Sequence, residues 1–206
     1  MYDNTRYAYD PKGGSLQTDV PGVAADRVHE AHLQLAAANV PADNAAGVHA
    51  AITDNGAQQV ITTLITSPAT PRNITATAGG TATDIKAIAV IVEGTNYAGE
   101  VITETLPAFT VNMAGIVTGS KAFKTVTKVT IPAHDGTGAT TAIGWGSKLG
   151  LPYKLLHNTV QDAFLNNVKE GTAPTVAVSE TVLESNTVTL NSALNGSVID
   201  FYLMVY

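Results

Sequence analysis

The sequence predicts a mainly β protein: a β-sandwich or jelly-roll-like domain with an extended N-terminal arm and one or two short helices. Two observations predict this class. From Ala57 onward, Val, Ile and Thr alternate with polar residues over about eight short runs. Turn residues separate the runs, among them Asn96, Gly99 and the Asp135–Gly136 pair. This spacing is typical of sandwiches and jelly rolls and differs from that of βαβ folds.

Residues 1–22 predict the arm. They are polar and interrupted by proline and glycine, and Tyr2, Tyr7 and Tyr9 are interleaved among charged residues. A tyrosine ring buries a large area at low entropic cost and keeps a hydroxyl for hydrogen bonding. These three residues are therefore candidate interface residues that anchor on a neighbouring chain, and a frayed terminus without a role is the alternative.

The helix with the strongest sequence support covers residues 23–39. This segment is rich in Ala and Leu, contains no Gly or Pro, and ends before Pro41. Residues 40–56 are punctuated by Gly, Pro, Asn and Asp, which indicates a boundary. We therefore expect residues 1–56 to form the arm and helix, and residues 57–206 to form the β-sandwich domain.

A second helix is predicted over residues 158–168, with Asn158 as its cap and Val160 and Phe164 on one face. The remaining segments are strand candidates, and Asn195–Gly196 between the last two is a strong hairpin signal. The strand candidates are residues 58–67, 72–78, 86–94, 99–107, 121–132, 139–146, 174–190 and 197–206.

The composition limits the function classes. A net charge of −6 argues against a protein that coats nucleic acid, because phosphate binding needs clustered Lys and Arg. The absence of cysteine excludes disulfides, thiolate metal sites and cysteine nucleophiles. The longest apolar run, residues 87–92, is too short to span a bilayer, and the N-terminus lacks an apolar leader. We expect a chain made in the cytoplasm with no nucleic-acid or membrane partner.

No motif of catalysis, cofactor binding or metal binding is complete. His29 and His32 are three residues apart, one short of the spacing in the metalloprotease motif, which favours solvent-facing or interface histidines. The segment 115–121 lacks the glycine spacing of a phosphate loop.

Carboxylates offer the remaining chemistry. Glu93, Glu100 and Glu104 are separated by a predicted turn, so two of them could face each other across a hairpin as an acid/base pair. Thr103 and Thr105 around them favour solvated strand positions instead. The sequence thus predicts a protein that is not an enzyme and that has no cofactor and no metal.

The one basic region includes Lys121, Lys124 and Lys128. On a strand, Lys124 and Lys128 share a face and Lys121 points to the other. A charged outer face that discourages edge pairing is the default interpretation. The alternative is a docking patch for an acidic partner surface, which makes these three lysines candidate interface residues.

A family resemblance covers residues 93–155. In this segment EGTN, GEVITETL, GSKAFKTVTKVTIP and GWGSKLGLPYKL resemble a recurrent segment of virion structural proteins from tailed bacteriophages, and the resemblance extends weakly back to Pro71-Arg72-Asn73. The segment carries no catalytic motif, so the resemblance assigns no site residue. It implies a component of the virus particle.

Among particle components, a capsid decoration (cement) protein fits best. The resemblance implies a β-rich, often trimeric protein on the outer surface of the head, with the major capsid protein as its partner. A tail-tube or neck subunit is the alternative, and a receptor-binding or carbohydrate-binding adhesin is less favoured because the β region has few Trp and Tyr residues.

Overall fold

A computed structural model describes residues 16–17, 20–21, 24–25 and 28–205. The mainly β class is confirmed: strands account for 49% of the residues, and the described residues contain no helix of seven residues or more. The predicted arm, with Tyr2, Tyr7 and Tyr9, lies almost entirely outside the described residues.

Sixteen strands form the described fold, joined by 3₁₀ turns at Ala37–Asn39, Ala82–Asp84 and Leu183–Ser185. In chain order, the strands are β1 (Leu16–Gln17), β2 (Ala24–Ala25), β3 (His29–Leu35), β4 (Asn44–Thr53), β5 (Gln59–Ile61), β6 (Arg72–Gly80), β7 (Ile91–Thr95), β8 (Val101–Thr105), β9 (Gly115–Phe123), β10 (Thr125–Ile131), β11 (Ala139–Gly150), β12 (Val160–Leu165), β13 (Val168–Lys169), β14 (Thr175–Ala177), β15 (Thr187–Thr189) and β16 (Ile199–Val205).

The strands pair in antiparallel fashion into three main sheets. The central sheet has the order β14-β15-β11-β6-β9, and β4 pairs with β11 beside it. The hairpin sheet has the order β5-β10-β7-β8, and the C-terminal sheet has the order β13-β12-β16-β3. A fourth sheet consists of β1 and β2 alone.

Two hydrophobic cores hold these sheets together, and β11 contributes to both. Ile143 of β11 packs with residues of β6 and of the hairpin sheet in the first core. Leu149, six residues later on the same strand, packs in the second core with Phe201 and Leu203 of the C-terminal sheet. The central sheet is therefore the layer that the other two sheets share.

The helix predicted over residues 23–39 is wrong. Residues 29–35 form β3 instead, which pairs with β16 over its whole length. Ala31, Leu33 and Leu35 recur with a period of two and all contact the second core. Helix propensity, which is a weak preference per residue, is here outweighed by the burial of this alternating face.

The helix predicted over residues 158–168 is also wrong, because residues 160–165 form β12. Asn158 does accept a local backbone N–H, but it is that of Val160 in a turn that begins a strand. Asn166 and Asn167 both have positive φ and make the tight turn into β13. Asparagine tolerates this backbone region better than most residues, which places the turn here.

The hairpin predicted at Asn195–Gly196 is wrong as well. Gly196 has a positive φ, as in a turn, but β15 before it and β16 after it belong to different sheets. In contrast, the turn at Asn96–Gly99 does join a hairpin, β7 to β8. The β structure also begins before residue 57, since β3 and β4 are integral to two of the sheets.

Candidate functional site

The three candidate lysines lie around the hairpin sheet but do not form one free patch. Lys121 Nζ lies 3.1 Å from the carbonyl oxygen of Thr103 and 3.4 Å from Glu184 Oε1. Lys128 Nζ contacts Glu93 Oε1 at 2.8 Å across the β10–β7 pair. Lys124 lies between β9 and β10 with an exposed side chain. Of the three, it is the one whose ammonium is left open for a partner.

Glu104 links the hairpin sheet to the central sheet. Its Oε1 accepts the backbone N–H and the hydroxyl of Ser120 at 2.7 and 2.9 Å. Both carboxylate oxygens also lie 3.3 Å from the backbone nitrogen of Lys121. Glu104 pairs with Val92, whereas Glu93 pairs with Thr103, so the two carboxylates point to opposite faces. The interpretation of Glu104 as a solvated strand position is wrong, and an acid/base pair with Glu93 is excluded by this geometry.

Asn96 and Glu184 continue this network. The amide of Asn96, fully buried, donates to Glu100 Oε2 at 2.8 Å and to Glu184 Oε2 at 3.3 Å. Burial favours a raised pKa for Glu184, but the hydrogen bonds from its own backbone and Asn96, with the charge of Lys121, outweigh burial and hold the pKa below its ordinary value. Glu184 therefore remains an anion that holds its loop against the hairpin.

Arg72 joins separate segments of the chain next to the second core, as Glu104 and Glu184 do at the hairpin sheet. It is 1% exposed, and its guanidinium donates to the carbonyl oxygens of Gly146 and Pro41 at 2.6 and 2.7 Å and to Asp43 Oδ1 at 2.6 Å. Burial lowers its pKa, and the charge of Asp43 opposes that effect. Arg72 thus fixes the segment before β4 against the middle of β11.

Asn73 supports the irregular pairing of β11 next to Arg72. Its Oδ1 accepts the Lys148 N–H at 2.9 Å, and its Nδ2 donates to the Gly119 carbonyl at 3.3 Å. The Pro71 carbonyl accepts the Gly150 N–H at 2.8 Å. Pro71, Arg72 and Asn73 therefore all organise the backbone around β11.

His134 is buried and fully bonded. Its Nδ1 accepts the Lys86 N–H at 3.2 Å, so Nε2 carries the proton and donates it to the Thr141 hydroxyl at 3.0 Å. Its ring stacks on Phe109 with centroids 5.9 Å apart. Burial lowers the pKa of His134, and the charges of Asp54 and Asp135 only partly oppose this. His134 is thus a neutral structural group.

The polar face of the C-terminal sheet carries a concentration of polar and aromatic side chains that lies outside these networks. His32 stacks on Tyr202 with centroids 4.6 Å apart, and Phe164 meets Tyr202 edge-on at 5.8 Å. Asp200 Oδ1 accepts His32 Nε2 at 2.7 Å and Gln34 Nε2 at 2.8 Å. With Asn167, these residues line a recess of about 300 Å³.

His29 and His32 do not act together, because they lie on opposite faces of β3 and pair with Val205 and Tyr202. Over the described part of the chain, no group of three or more His, Asp or Glu residues is placed to hold a metal ion.

No helix within the described ranges has the length and apolar character needed to cross a membrane.

Comparison with known proteins does not assign this chain to a family. No protein-family model matches the chain, and no curated protein and no solved structure matches it either.

Sequence reasoning missed the recess because its members are far apart in the chain. His32 and Asp200 are separated by 168 positions. Only the pairing of β3 with β16, which depended on recognising residues 29–35 as a strand, brings them together.

Proposed function

We propose that this protein is a non-enzymatic structural protein of a tailed-bacteriophage virion, and that it is a decoration protein bound to the outer surface of the assembled head. Its partners are then the major capsid protein of the same phage and other copies of itself, in a homotrimer. The chain is made in the host cytoplasm and resides on the capsid surface.

The observation that carries the proposal is the position of residues 93–155, the segment that resembles virion structural proteins, in the fold. Residues 93–155 run from the end of β7 to just beyond β11. Their most distinctive polar residues, Asn96, Glu104 and Lys121, form an internal network that fixes one sheet on another. These side chains bond to one another and to the backbone, and such a network makes a rigid scaffold. A rigid β scaffold that presents surfaces is what a particle component requires.

Exposed apolar side chains supply contact area for a partner. Val111, Met113 and Ile116 are each more than half exposed, and they lie within six residues in the loop before β9 and at the start of that strand. Apolar surface grouped in this way is a common mark of a protein interface. Several such contacts made by one oligomer on several shell subunits would reinforce one another, since all of them must break before it dissociates.

A tail-tube or neck subunit is the second candidate, and one observation favours it. The C-terminal sheet ends in β3, a seven-residue strand that pairs on one side only among the described residues. An edge of this length can extend a sheet into a neighbouring subunit, which is how rings of β proteins form.

Two measurements on the full-length protein test the proposal. The first is the absolute mass by light scattering on a sizing column at two concentrations, for which we expect a concentration-independent trimer. The second is co-sedimentation with assembled shells of the phage that encodes the chain, compared with unassembled capsid protein. Binding to shells supports a decoration protein, whereas six-fold rings or growing polymers that ignore shells would favour the tail or neck alternative.

A further inference from the structure

The C-terminal sheet has one apolar and one polar face, and the polar face is ordered in rows. In the first row the pairing of strands places Lys169, Phe164, Asp200 and Gln34 side by side. In the second row Tyr202 lies between Asp162 and His32, and beyond it Met204 pairs with Glu30. The opposite face supplies Phe201 and Leu203 to the second core.

The hydrogen bonds of Asp200 define what the recess offers to a ligand. Asp200 is 6% exposed, and its Oδ1 accepts from His32 and Gln34. Because a carboxylate only accepts, the Gln34 amide must face it with its NH₂ group, and His32 must face it with a protonated Nε2. Asp200 Oδ2 and Gln34 Oε1 therefore remain as acceptors without a donor among the described residues.

The charge of this face is also suited to a cation. Among the described residues of this face, the carboxylates of Glu30, Asp162 and Asp200 stand against one lysine, Lys169, which pairs with Asp162 at 2.5 Å. Phe164 and Tyr202 meet at an interplanar angle of 76°, so their rings form two walls of the recess. Aromatic faces attract a cation, and they do so more strongly where water is excluded.

We propose that this recess receives an arginine side chain of the shell protein. A guanidinium is planar, always charged and carries five N–H donors, so it can bond Asp200 Oδ2 and Gln34 Oε1 together while it stacks on a ring. A lysine ammonium lacks the planar fork, and an uncharged sugar gains nothing from the excess of carboxylates. The inference rests on the proposed function for the source of the arginine, but not for the chemistry of the recess.

The test uses NMR titration of the full-length protein with the capped amino acid N-acetyl-arginine methylamide, at millimolar concentration. We expect saturable shifts confined to the backbone amides of Gln34, Asn167, Asp200 and Tyr202, and shifts at least fivefold smaller with the corresponding lysine compound. Asp200→Asn keeps the size and the acceptor for His32 and Gln34, and it should raise the Kd for the arginine compound at least tenfold. Asp135→Asn, which neutralises an exposed carboxylate elsewhere, should leave it unchanged.

Three results would overturn the inference: no saturable shift, equal shifts with the lysine compound, or the same residues responding to methyl glycosides instead. Asn167→Gly provides a second variant, because glycine suits the positive φ of Asn167 and only the amide is lost; a Kd that neither variant changes would also count against it.

The source of the arginine is tested separately. Asp200→Asn should weaken shell co-sedimentation and leave the mass of the oligomer unchanged. If it lowers that mass instead, the face binds a second copy and the assignment to the shell is wrong. Arginine binding by a protein that ignores shells would overturn the proposed function and leave the chemistry of the recess in place.

Discussion

Glu104 on β8 accepts the backbone N–H of Ser120 on β9 at 2.7 Å and thereby joins two sheets whose strands do not otherwise pair at this point. Glu104 is 8% exposed, and its carboxylate also accepts the Ser120 hydroxyl and the Lys121 backbone N–H. It occupies the outer edge of β9, where an unpaired strand would otherwise offer its N–H groups to another chain.

Glu104→Ala should lower the free energy of unfolding by about 2–4 kcal/mol, because it leaves partly buried donors without an acceptor. Urea denaturation followed by circular dichroism measures the change. Glu93→Ala is the matched control from the neighbouring strand, and the loss of its half-exposed pair with Lys128 should cost no more than about 1 kcal/mol. Equal losses in the two variants would mean that the Glu104 network does not stabilise the sheet junction.

Gly119 is the second half of this junction. A Cβ at Gly119 would lie 2.6 Å from Glu104 Oε2, 2.9 Å from the Ile74 carbonyl oxygen and 2.9 Å from Leu106 Cδ2. Gly119→Ala should therefore cost about 1–3 kcal/mol through overpacking. Gly115, on the same strand, has open space around it, so Gly115→Ala should be neutral or stabilise by up to about 1 kcal/mol. The Tm of both variants, measured by thermal unfolding, tests this difference. A Gly119→Ala protein as stable as the wild type would contradict the close approach of Gly119 to Glu104, Ile74 and Leu106.

Arg72→Lys tests the anchor between β6, β11 and the segment before β4. A lysine side chain is shorter overall and ends in a compact ammonium, which cannot reach the Gly146, Pro41 and Asp43 oxygens together, so a buried charge is left with unmatched acceptors. We expect a loss of about 3 kcal/mol in the free energy of unfolding. Lys86→Arg, at an exposed pair with Asp135, is the control that should change it by less than about 0.5 kcal/mol.

Lys124→Glu tests the candidate docking patch. Since Lys121 and Lys128 already pair with Glu184 and Glu93, Lys124 is the lysine of the three that a partner can use without breaking an internal contact. Under the proposed function, charge reversal there should weaken shell binding about two- to tenfold, mainly through the association rate and more at low salt. Lys86→Glu is the control for a general effect of net charge. Equal binding by wild type and Lys124→Glu would remove Lys124 from the contact surface.

The β class could be predicted from the sequence because alternation in residues 72–78 and 139–146 reports directly on strands β6 and β11. The two predicted helices failed for one physical reason. Residues 29–35 and 160–165 have good helix formers, yet each segment alternates well enough to bury one face in the second core. Tertiary burial then outweighed local preference.

The polar networks could not be predicted at all. Asn96 and Glu184 are 88 positions apart, and Arg72 and Gly146 are 74 apart, so no local pattern signals either contact. The same holds for the recess on the C-terminal sheet, whose chemistry comes from the pairing register of β3, β16 and β12. The residue types show that carboxylates and histidines are present. Only the pairing of the strands decides which of these side chains are bonded within the protein and which remain accessible to a ligand.

His134 predicts how stability depends on pH. Burial lowers its pKa in the folded protein below the ordinary 6.5, so the unfolded chain binds a proton more readily than the folded one. The contribution of neutral His134 is fully present above about pH 6.5 and is lost as the pH falls from there towards the lower folded pKa. The slope from this one group cannot exceed about 1.4 kcal/mol per pH unit.

The free energy of unfolding from urea titrations between pH 7.5 and 5 checks this. His134→Gln keeps an acceptor for the Lys86 N–H and a donor for Thr141 but cannot titrate. The free energy of unfolding of the wild type minus that of the variant should therefore be constant above about pH 7 and decrease below about pH 6.5. A difference curve that stays flat for His134→Gln down to pH 5 would show that protonation of His134 does not oppose folding.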